Sequence, residues 1–191
     1  MNKFLSSVAI SAMFITAAFA EGTFYQATSG QWTVTGYNGG PGQGADGGHF
    51  NTSCLAQTFW GDGSDLQLIQ DLVDGELYIV FNNNAWNIEG PYETESDMTL
   101  NMYGRRGVES YKVKFVLVDK NTISIRGLEY KKFLPAFMNY NKMVFIMPGT
   151  VENAEVGLKG SSAAIEHMSR CIDNAPKNLD SFQNLGPKTD V

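Results

Sequence analysis

The chain has 191 residues and carries 14 basic against 20 acidic side chains, a formal net charge of −6. Its length fits a single domain, since domains contain about 100–200 residues. The negative charge and the scatter of the basic residues argue against nucleic acid as a partner, because phosphate contacts need clustered Lys and Arg. No segment reaches the ~20 apolar residues of a membrane helix, so we expect no membrane span.

The N-terminal segment has the pattern of a secretory signal peptide. Lys3 precedes an apolar run over residues 4–17, and the small residues Ala18 and Ala20 stand before Glu21. This pattern predicts cleavage between Ala20 and Glu21 and a periplasmic or secreted protein.

Removal of residues 1–20 leaves a predicted single domain over residues 21–173. Residues 174–191 are mostly polar, a composition typical of a flexible tail. The domain contains both cysteines, Cys54 and Cys171. In an oxidising compartment two cysteines favour a disulfide over a metal site. Closing so long a loop would stabilise the fold by about 4–5 kcal/mol.

Strand patterns dominate the domain. After a lead-in over residues 21–29, the glycine-rich stretch from Gly36 to Gly48 predicts a mobile loop, with a ligand-facing loop as the alternative. Asp74 and Gly75 predict a hairpin, and Trp86 opens an extended stretch that resumes at residues 92–95. Alternating polar and apolar residues predict further strands over residues 31–35, 53–60, 66–72, 76–81, 98–103, 108–118, 122–126, 142–147 and 155–158.

A short helix is predicted late in the domain. Tyr130, Phe133, Leu134 and Phe137 have the i, i+3, i+4, i+7 spacing of an amphipathic helix. Pro135 stands in the middle, so we expect either a short helix or two broken turns that cap the sheet.

A second helix is predicted to end at Cys171. Ser161 or Ser162 can cap its N-terminus, and Ile165 and Met168 would face the sheet. Together the elements predict a mainly β domain, an antiparallel β-sandwich or open barrel with a short capping helix and a C-terminal helix. Doubly wound nucleotide-binding folds are disfavoured because βαβ alternation is absent from the sequence.

Ser161 and Ser162 are the candidate nucleophiles, because they stand at a predicted strand-to-helix turn. The G-x-S-x-G spacing of a nucleophile elbow is absent. His167 shares their predicted helix, which leaves His49 as the candidate base. We favour helix capping for both serines and predict no catalytic residue.

The sequence predicts no metal site and no cofactor. Two histidines and two cysteines are too few for a structural zinc centre. The turn at residues 62–65 lacks the loop glycine and distal glutamate of a calcium hand. Glu93, Glu95 and Asp97 alternate along a strand, which is typical of a solvated face rather than of a glycosidase pair.

The aromatic residues suggest a second kind of site. Trp32 and Trp86 are predicted core side chains, whereas Trp60, beside a turn, is predicted to be exposed. Exposed aromatic side chains form platforms for sugars or peptides. The possible binding residues are Trp60, Tyr37 and His49.

A family resemblance rests on the signal peptide, the Trp32 and Trp86 strands, Cys54, and the sequence LKGSSAAI that precedes Cys171. On these features the chain resembles small secreted proteins of Gram-negative bacteria, of the invasion-associated locus B-like family. The resemblance implies a small β-rich periplasmic domain without established catalysis. It carries over no site residues.

These observations favour an exported, non-enzymatic binding or interaction protein that contacts an envelope component or a protein partner. Three alternatives stay open. An inhibitor or immunity protein would set its acidic surface against a basic cell-wall hydrolase. An envelope serine hydrolase would use Ser161 or Ser162, and a sugar-binding module would use Trp60.

Overall fold

A computed structural model of the protein describes residues 22–38, 52–148 and 153–176. Within these ranges the chain forms ten strands and two helices. The strands are β1 (Thr23–Ser29), β2 (Trp32–Asn38), β3 (Thr52–Phe59), β4 (Asp65–Asp71), β5 (Leu77–Asn82), β6 (Glu95–Gly104), β7 (Gly107–Leu117), β8 (Thr122–Leu128), β9 (Lys142–Ile146) and β10 (Ala154–Gly157). The helices are α1 (Tyr130–Asn139) and α2 (Ser161–Asp173).

All the strands belong to one antiparallel sheet. Their order is β1-β2-β3-β4-β5-β8-β7-β6-β9-β10, so the sheet is open, with β1 and β10 at its two ends. The predicted hairpin at Asp74 and Gly75 joins β4 to β5, and Gly75 has the left-handed φ of 77° that such turns require. The predicted mainly β, antiparallel fold with two helices is confirmed.

The sheet is strongly curved. Strands β5 and β9 are separated by three other strands, a distance of about 19 Å in a flat sheet. Nevertheless Phe81 on β5 stacks on Phe145 of β9, with ring centroids 4.5 Å apart. The concave face therefore encloses a single core, as an open barrel does, which selects between the two predicted architectures.

The two ends of the sheet approach each other through side chains rather than through strand pairing. Trp32, at the start of β2, is fully buried and donates its indole N–H to the carbonyl of Lys159, beyond β10, at 3.0 Å. Gly160 follows with a φ of 85°, and a Cβ there would lie 3.3 Å from the Trp32 ring. The geometry of this corner thus depends on a residue without a side chain.

Helix α2 closes the core over β1, β2 and β3. Its buried stripe includes Ile165, Met168 and Cys171, as the spacing predicts. Cys171 forms the predicted disulfide with Cys54 of β3, with the Cα atoms 6.0 Å apart and a sequence separation of 117. A late helix is therefore tied covalently to an early strand.

Three local predictions are wrong. The lead-in is strand β1, and the predicted loop beginning at Gly36 starts later, because β2 runs to Asn38. Gly36 serves close packing, since a Cβ there would lie 2.5 Å from Phe24 and 2.8 Å from the Cys171 sulfur. Trp86 opens no strand, because residues 83–94 contain only turns and coil.

Of the two outcomes predicted around Pro135, the structure shows one unbroken helix of ten residues. Pro135 lies on its exposed side, while Phe133, Leu134 and Phe137 are buried. Their burial offsets the hydrogen bond that an interior proline removes.

Several predictions concern residues outside the described ranges. They are the signal peptide with its cleavage site at Ala20 and Glu21, His49 with most of the glycine-rich stretch, and most of the polar tail. In the described part of the chain, neither helix has the length and apolar character that crossing a membrane requires.

Candidate functional site

The two candidate nucleophiles hold the helices together. Ser161 is 2 % exposed and its hydroxyl donates to the Phe137 carbonyl at 2.9 Å, while the Ser162 hydroxyl donates to the Met138 carbonyl at 2.8 Å. These carbonyls belong to the last turn of α1, where no intrahelical donor is available. The N-terminal serines of α2 therefore satisfy the C-terminus of α1.

This arrangement corrects the predicted capping of α2 by its own serines. The N-cap of α2 is Gly160, in a left-handed conformation and without a side-chain hydrogen bond to the helix. Both hydroxyls point instead toward the neighbouring helix, since the tight turn at Gly160 brings α2 against α1.

The histidines do not complete a serine–histidine pair in the part of the chain that is described. His167 on α2 is hydrogen-bonded through Nδ1 to the Tyr25 hydroxyl of β1 at 3.0 Å, so it ties α2 to the first strand. His49 lies outside the described residues.

The predicted aromatic site is not assembled from its described members. Tyr37 pairs with Ser53 at the start of β3, whereas Trp60 follows the end of that strand, about 23 Å away. Trp60 is half-buried rather than exposed, with its ring edge-on to Phe81 at 6.4 Å. These two side chains cannot share a small ligand.

Among the described residues no group of three or more His, Cys, Asp or Glu side chains could hold a metal ion. In the turn at residues 62–65, the Asp62 carboxylate accepts the backbone N–H of Ser64 at 2.9 Å, an ordinary turn contact. Asp97 pairs with Lys114 at 2.8 Å on the exposed face of the sheet.

The sheet is interrupted between β7 and β8. The ladder between them covers only the pairs from Lys114↔Arg126 to Leu117↔Ile123, although β7 continues back to Gly107. β7 itself stays paired with β6 along its whole length.

A β-bulge in β8 causes this separation. Leu77↔Leu128 and Ile79↔Ile125 are successive pairs of β5 and β8, so two residues of β8 oppose one residue of β5. Gly127, inside the bulge, has a left-handed φ of 71°. Bulges bend a strand and increase its twist, and here the bend carries the end of β8 away from β7.

The separation opens a groove between β7 on one side and β8 with α1 on the other. Two adjoining depressions, with volumes of about 490 and 250 Å³, share Tyr111 and Lys132 in their walls. We call this groove the basic cleft, after the five basic residues that line it: Arg106, Lys112, Lys114, Arg126 and Lys132.

The charge of the basic cleft is opposite to that of the chain. Five basic residues, out of 14 in the sequence, face only two carboxylates there, Glu109 and Glu129. Glu129 pairs with Lys132 at 2.6 Å, and Lys114 with Asp97, but all four side chains are well exposed. Exposed ion pairs contribute only about 0–1 kcal/mol, so an incoming anion can exchange with them.

The hydrogen bond and charge of Asp97 raise the pKa of Lys114, which keeps the amine cationic. Arg126 lies with its guanidinium carbon 6.0 Å from the centre of the Tyr78 ring.

The floor of the basic cleft is apolar. Val113 and Phe133 are buried, Leu128 is half-buried, and Tyr111 lies edge-on to Phe133 with centroids 5.8 Å apart. Burial, followed by a hydrogen bond to Glu109, raises the pKa of Tyr111, so its phenol stays protonated. The site therefore combines an apolar floor with a cationic rim.

Sequence reasoning missed this site. Lys112 and Lys114 show a signal, because they alternate on one face of β7. Arg126 and Lys132 are distant in sequence, and only the β7–β8 register and the position of α1 bring them to the same groove.

Comparison with known proteins gives no match among family models and none among curated proteins. Among solved structures, the fold is similar to the crystal structure of invasion associated protein B from Bartonella henselae, with a TM-score of 0.46 and 11% sequence identity. The alignment covers 76% of this chain and 96% of that chain. The family resemblance predicted from sequence is thus supported only as a weak structural likeness.

Proposed function

We propose that this protein is an exported, non-enzymatic interaction protein and that the basic cleft contacts an acidic segment of an envelope or protein partner. The single observation that carries the proposal is the basic cleft itself, a cationic and open groove on a chain of net charge −6. Export rests on the predicted signal peptide.

The composition of the groove suits polypeptide binding. Its apolar floor can take side chains out of water, and its rim can pair with carboxylates, which steers association and selects partners. In contrast, Ser161 and Ser162 already donate hydrogen bonds that join α1 to α2. The binding proposal therefore depends on exposed ion pairs, which an incoming carboxylate can replace, and not on the serines that hold the helices together.

The inhibitor or immunity function remains a special case of this proposal. Its partner would then be a hydrolase that presents an acidic segment to the basic cleft, while the acidic remainder of the surface faces the basic part of the enzyme. A stoichiometric complex that abolishes hydrolase activity would establish it.

The test is crosslinking of the tagged mature chain in intact cells, followed by mass spectrometry of the captured proteins. A double variant, Lys112→Glu with Lys114→Glu, reverses the charge of the cleft. The matched control, Lys120→Glu with Lys159→Glu, makes the same change in net charge at exposed residues outside it.

We expect one dominant partner with the wild type and the control, and its loss with the cleft variant. Salt should weaken the interaction, since screening shortens the reach of exposed charges. If the wild type, the control and the cleft variant capture the partner equally, the partner binds a surface other than the basic cleft. An absence of any partner would overturn the proposal.

A further inference from the structure

The rim of the basic cleft includes a strand edge as well as charges. Val118 directly follows β7, and its N–H donates to the Thr122 carbonyl at 2.9 Å, so an even-numbered residue at this end of the strand directs its backbone groups toward β8. Backbone groups alternate in direction along a strand, and the register of β7 with β6 runs without a shift. Val108, Ser110 and Lys112 therefore direct their backbone groups to the side that β8 has left.

Among the described residues no strand pairs with residues 108–113 on that side. This open edge is about 20 Å long. Proteins usually protect an unpaired strand edge, because its free N–H and carbonyl groups can pair with another chain. Here such an edge lies between two strands that are neighbours in the sheet.

We propose that the basic cleft binds an extended acidic polypeptide segment by strand addition to β7, the segment taking the place that β8 vacates at its bulge. This inference rests on the proposed function and specifies how the partner is recognised. Main-chain hydrogen bonds to Ser110 and Lys112 would provide affinity, and alternate side chains would provide specificity.

The two faces of the β7 edge dictate the partner's sequence. On the inner side Val113 and Tyr111 border the apolar floor with Phe133, whereas Lys112 and Lys114 project outward. Side chains of neighbouring strands meet on the same face. The bound segment therefore alternates apolar and acidic residues, with the acidic residues on the outer face.

The first experiment measures binding of a fluorescein-labelled peptide with five Glu-Val repeats by fluorescence polarisation. Ser110→Pro removes the N–H that faces the open edge, a position where proline is tolerated because the fold does not use this donor. Ser110→Ala is the matched control, since it removes the hydroxyl that bonds Asn101 and keeps the N–H.

We expect Ser110→Pro to weaken binding about tenfold or more, and Ser110→Ala to leave it within about twofold. Equal affinities for the two variants would overturn strand addition. Circular dichroism and thermal melting establish that both variants are folded.

A second measurement changes the probe and leaves the protein intact. An added strand uses the N–H groups of every second residue only. N-methylation of all the valines, or of all the glutamates, should therefore abolish binding in one peptide and spare it in the other. If both methylated peptides still bind, the inference is wrong, and this result does not depend on whether Ser110→Pro folds.

The outcomes separate this inference from the proposed function. If Lys112→Glu with Lys114→Glu abolishes peptide binding while Ser110→Pro and both methylated peptides bind normally, strand addition falls and charge-based binding stands. If neither variant affects binding of the peptide or of the cellular partner, both fall. A ten-nucleotide single-stranded DNA that binds as tightly as the peptide, with no effect of Ser110→Pro, would overturn the polypeptide assignment.

Discussion

Two glycines inside strands, Gly36 on β2 and Gly127 on β8, lie in regions of the sheet that differ in packing. At Gly36, on β2, the space of the missing side chain is filled by Phe24 and by the disulfide sulfur of Cys171. At Gly127, on β8, no atom lies within 4 Å of the position a Cβ would take, and the strand turns away from its neighbour. The first glycine permits close packing, and the second opens a groove.

The contrast extends to the polar groups around each glycine. On the Gly36 side, the hydroxyls of Ser161 and Ser162 and the ring of His167 all bond neighbouring elements. On the Gly127 side, the lysines of the basic cleft are exposed, and the pairing of β7 with β8 stops before the end of β7. Changes on the first side should therefore alter stability, and changes on the second should alter binding.

The largest effect is expected from the disulfide. Replacing both Cys54 and Cys171 by Ala should lower the free energy of unfolding by about 4–5 kcal/mol, because the unfolded chain loses a constraint over a long loop. Urea unfolding measures it, with the chemically reduced wild type as a control that should match the variant. By comparison, Lys112→Glu with Lys114→Glu should stay within about 1 kcal/mol of the wild type, because the Lys114–Asp97 pair that it breaks is exposed. If both variants lose a similar free energy of unfolding, the two regions do not differ in their contribution to stability.

Gly36→Ala is expected to destabilise the fold by about 1–3 kcal/mol, because the added methyl would overlap Phe24 and the Cys171 sulfur. The matched control is Gly61→Ala, at an exposed position with no atom within 4 Å. That control should change the free energy of unfolding by no more than about 0.5 kcal/mol. Equal effects would show that backbone entropy, and not packing, sets the preference for glycine.

Ser161→Ala should cost about 1–2 kcal/mol, since the buried Phe137 carbonyl loses its donor. Ser162→Ala should cost less, because water can replace the exposed hydroxyl at the Met138 carbonyl. Chemical denaturation of both variants compares them directly. Equal losses at the two positions would contradict the difference in burial.

The smallest effect concerns Asp71, which is 7 % exposed at the end of β4. Burial raises its pKa, against the hydrogen bonds that the backbone N–H groups of Val73 and Asp74 donate to it. Ionised Asp71 therefore lowers stability above the folded-state pKa. This penalty is relieved as pH falls through that pKa and vanishes below the unfolded value of about 3.9.

Asp71→Asn should consequently be more stable than the wild type at pH 7, and the difference should shrink on acidification. The difference is measured from the unfolding free energies of the two proteins at several pH values. Contributions from the other titrating groups are the same in both proteins and cancel in the difference. If Asp71→Asn is less stable than the wild type at neutral pH, the hydrogen bonds that the charged Asp71 carboxylate accepts stabilise the fold by more than its burial costs.

The sequence by itself determined the local elements and the disulfide. The turn at Asp74 and Gly75, the alternation along β7 and the apolar stripe of α2 depend on periods of a few residues, and a sequence with two cysteines allows one intramolecular bridge. Local signals failed where packing decides, as at β1, at Trp86 and at the serines that serve α1 instead of α2.

Only the tertiary structure decided the candidate site. The basic residues look scattered because they are spaced between positions 106 and 132, and their clustering requires the pairing of β7 with β8 and the placement of α1. The open edge requires the bulge at Gly127, which depends on pairing with β5 on the other side. Register between strands distant in sequence is a property of the whole sheet, so no single segment encodes it.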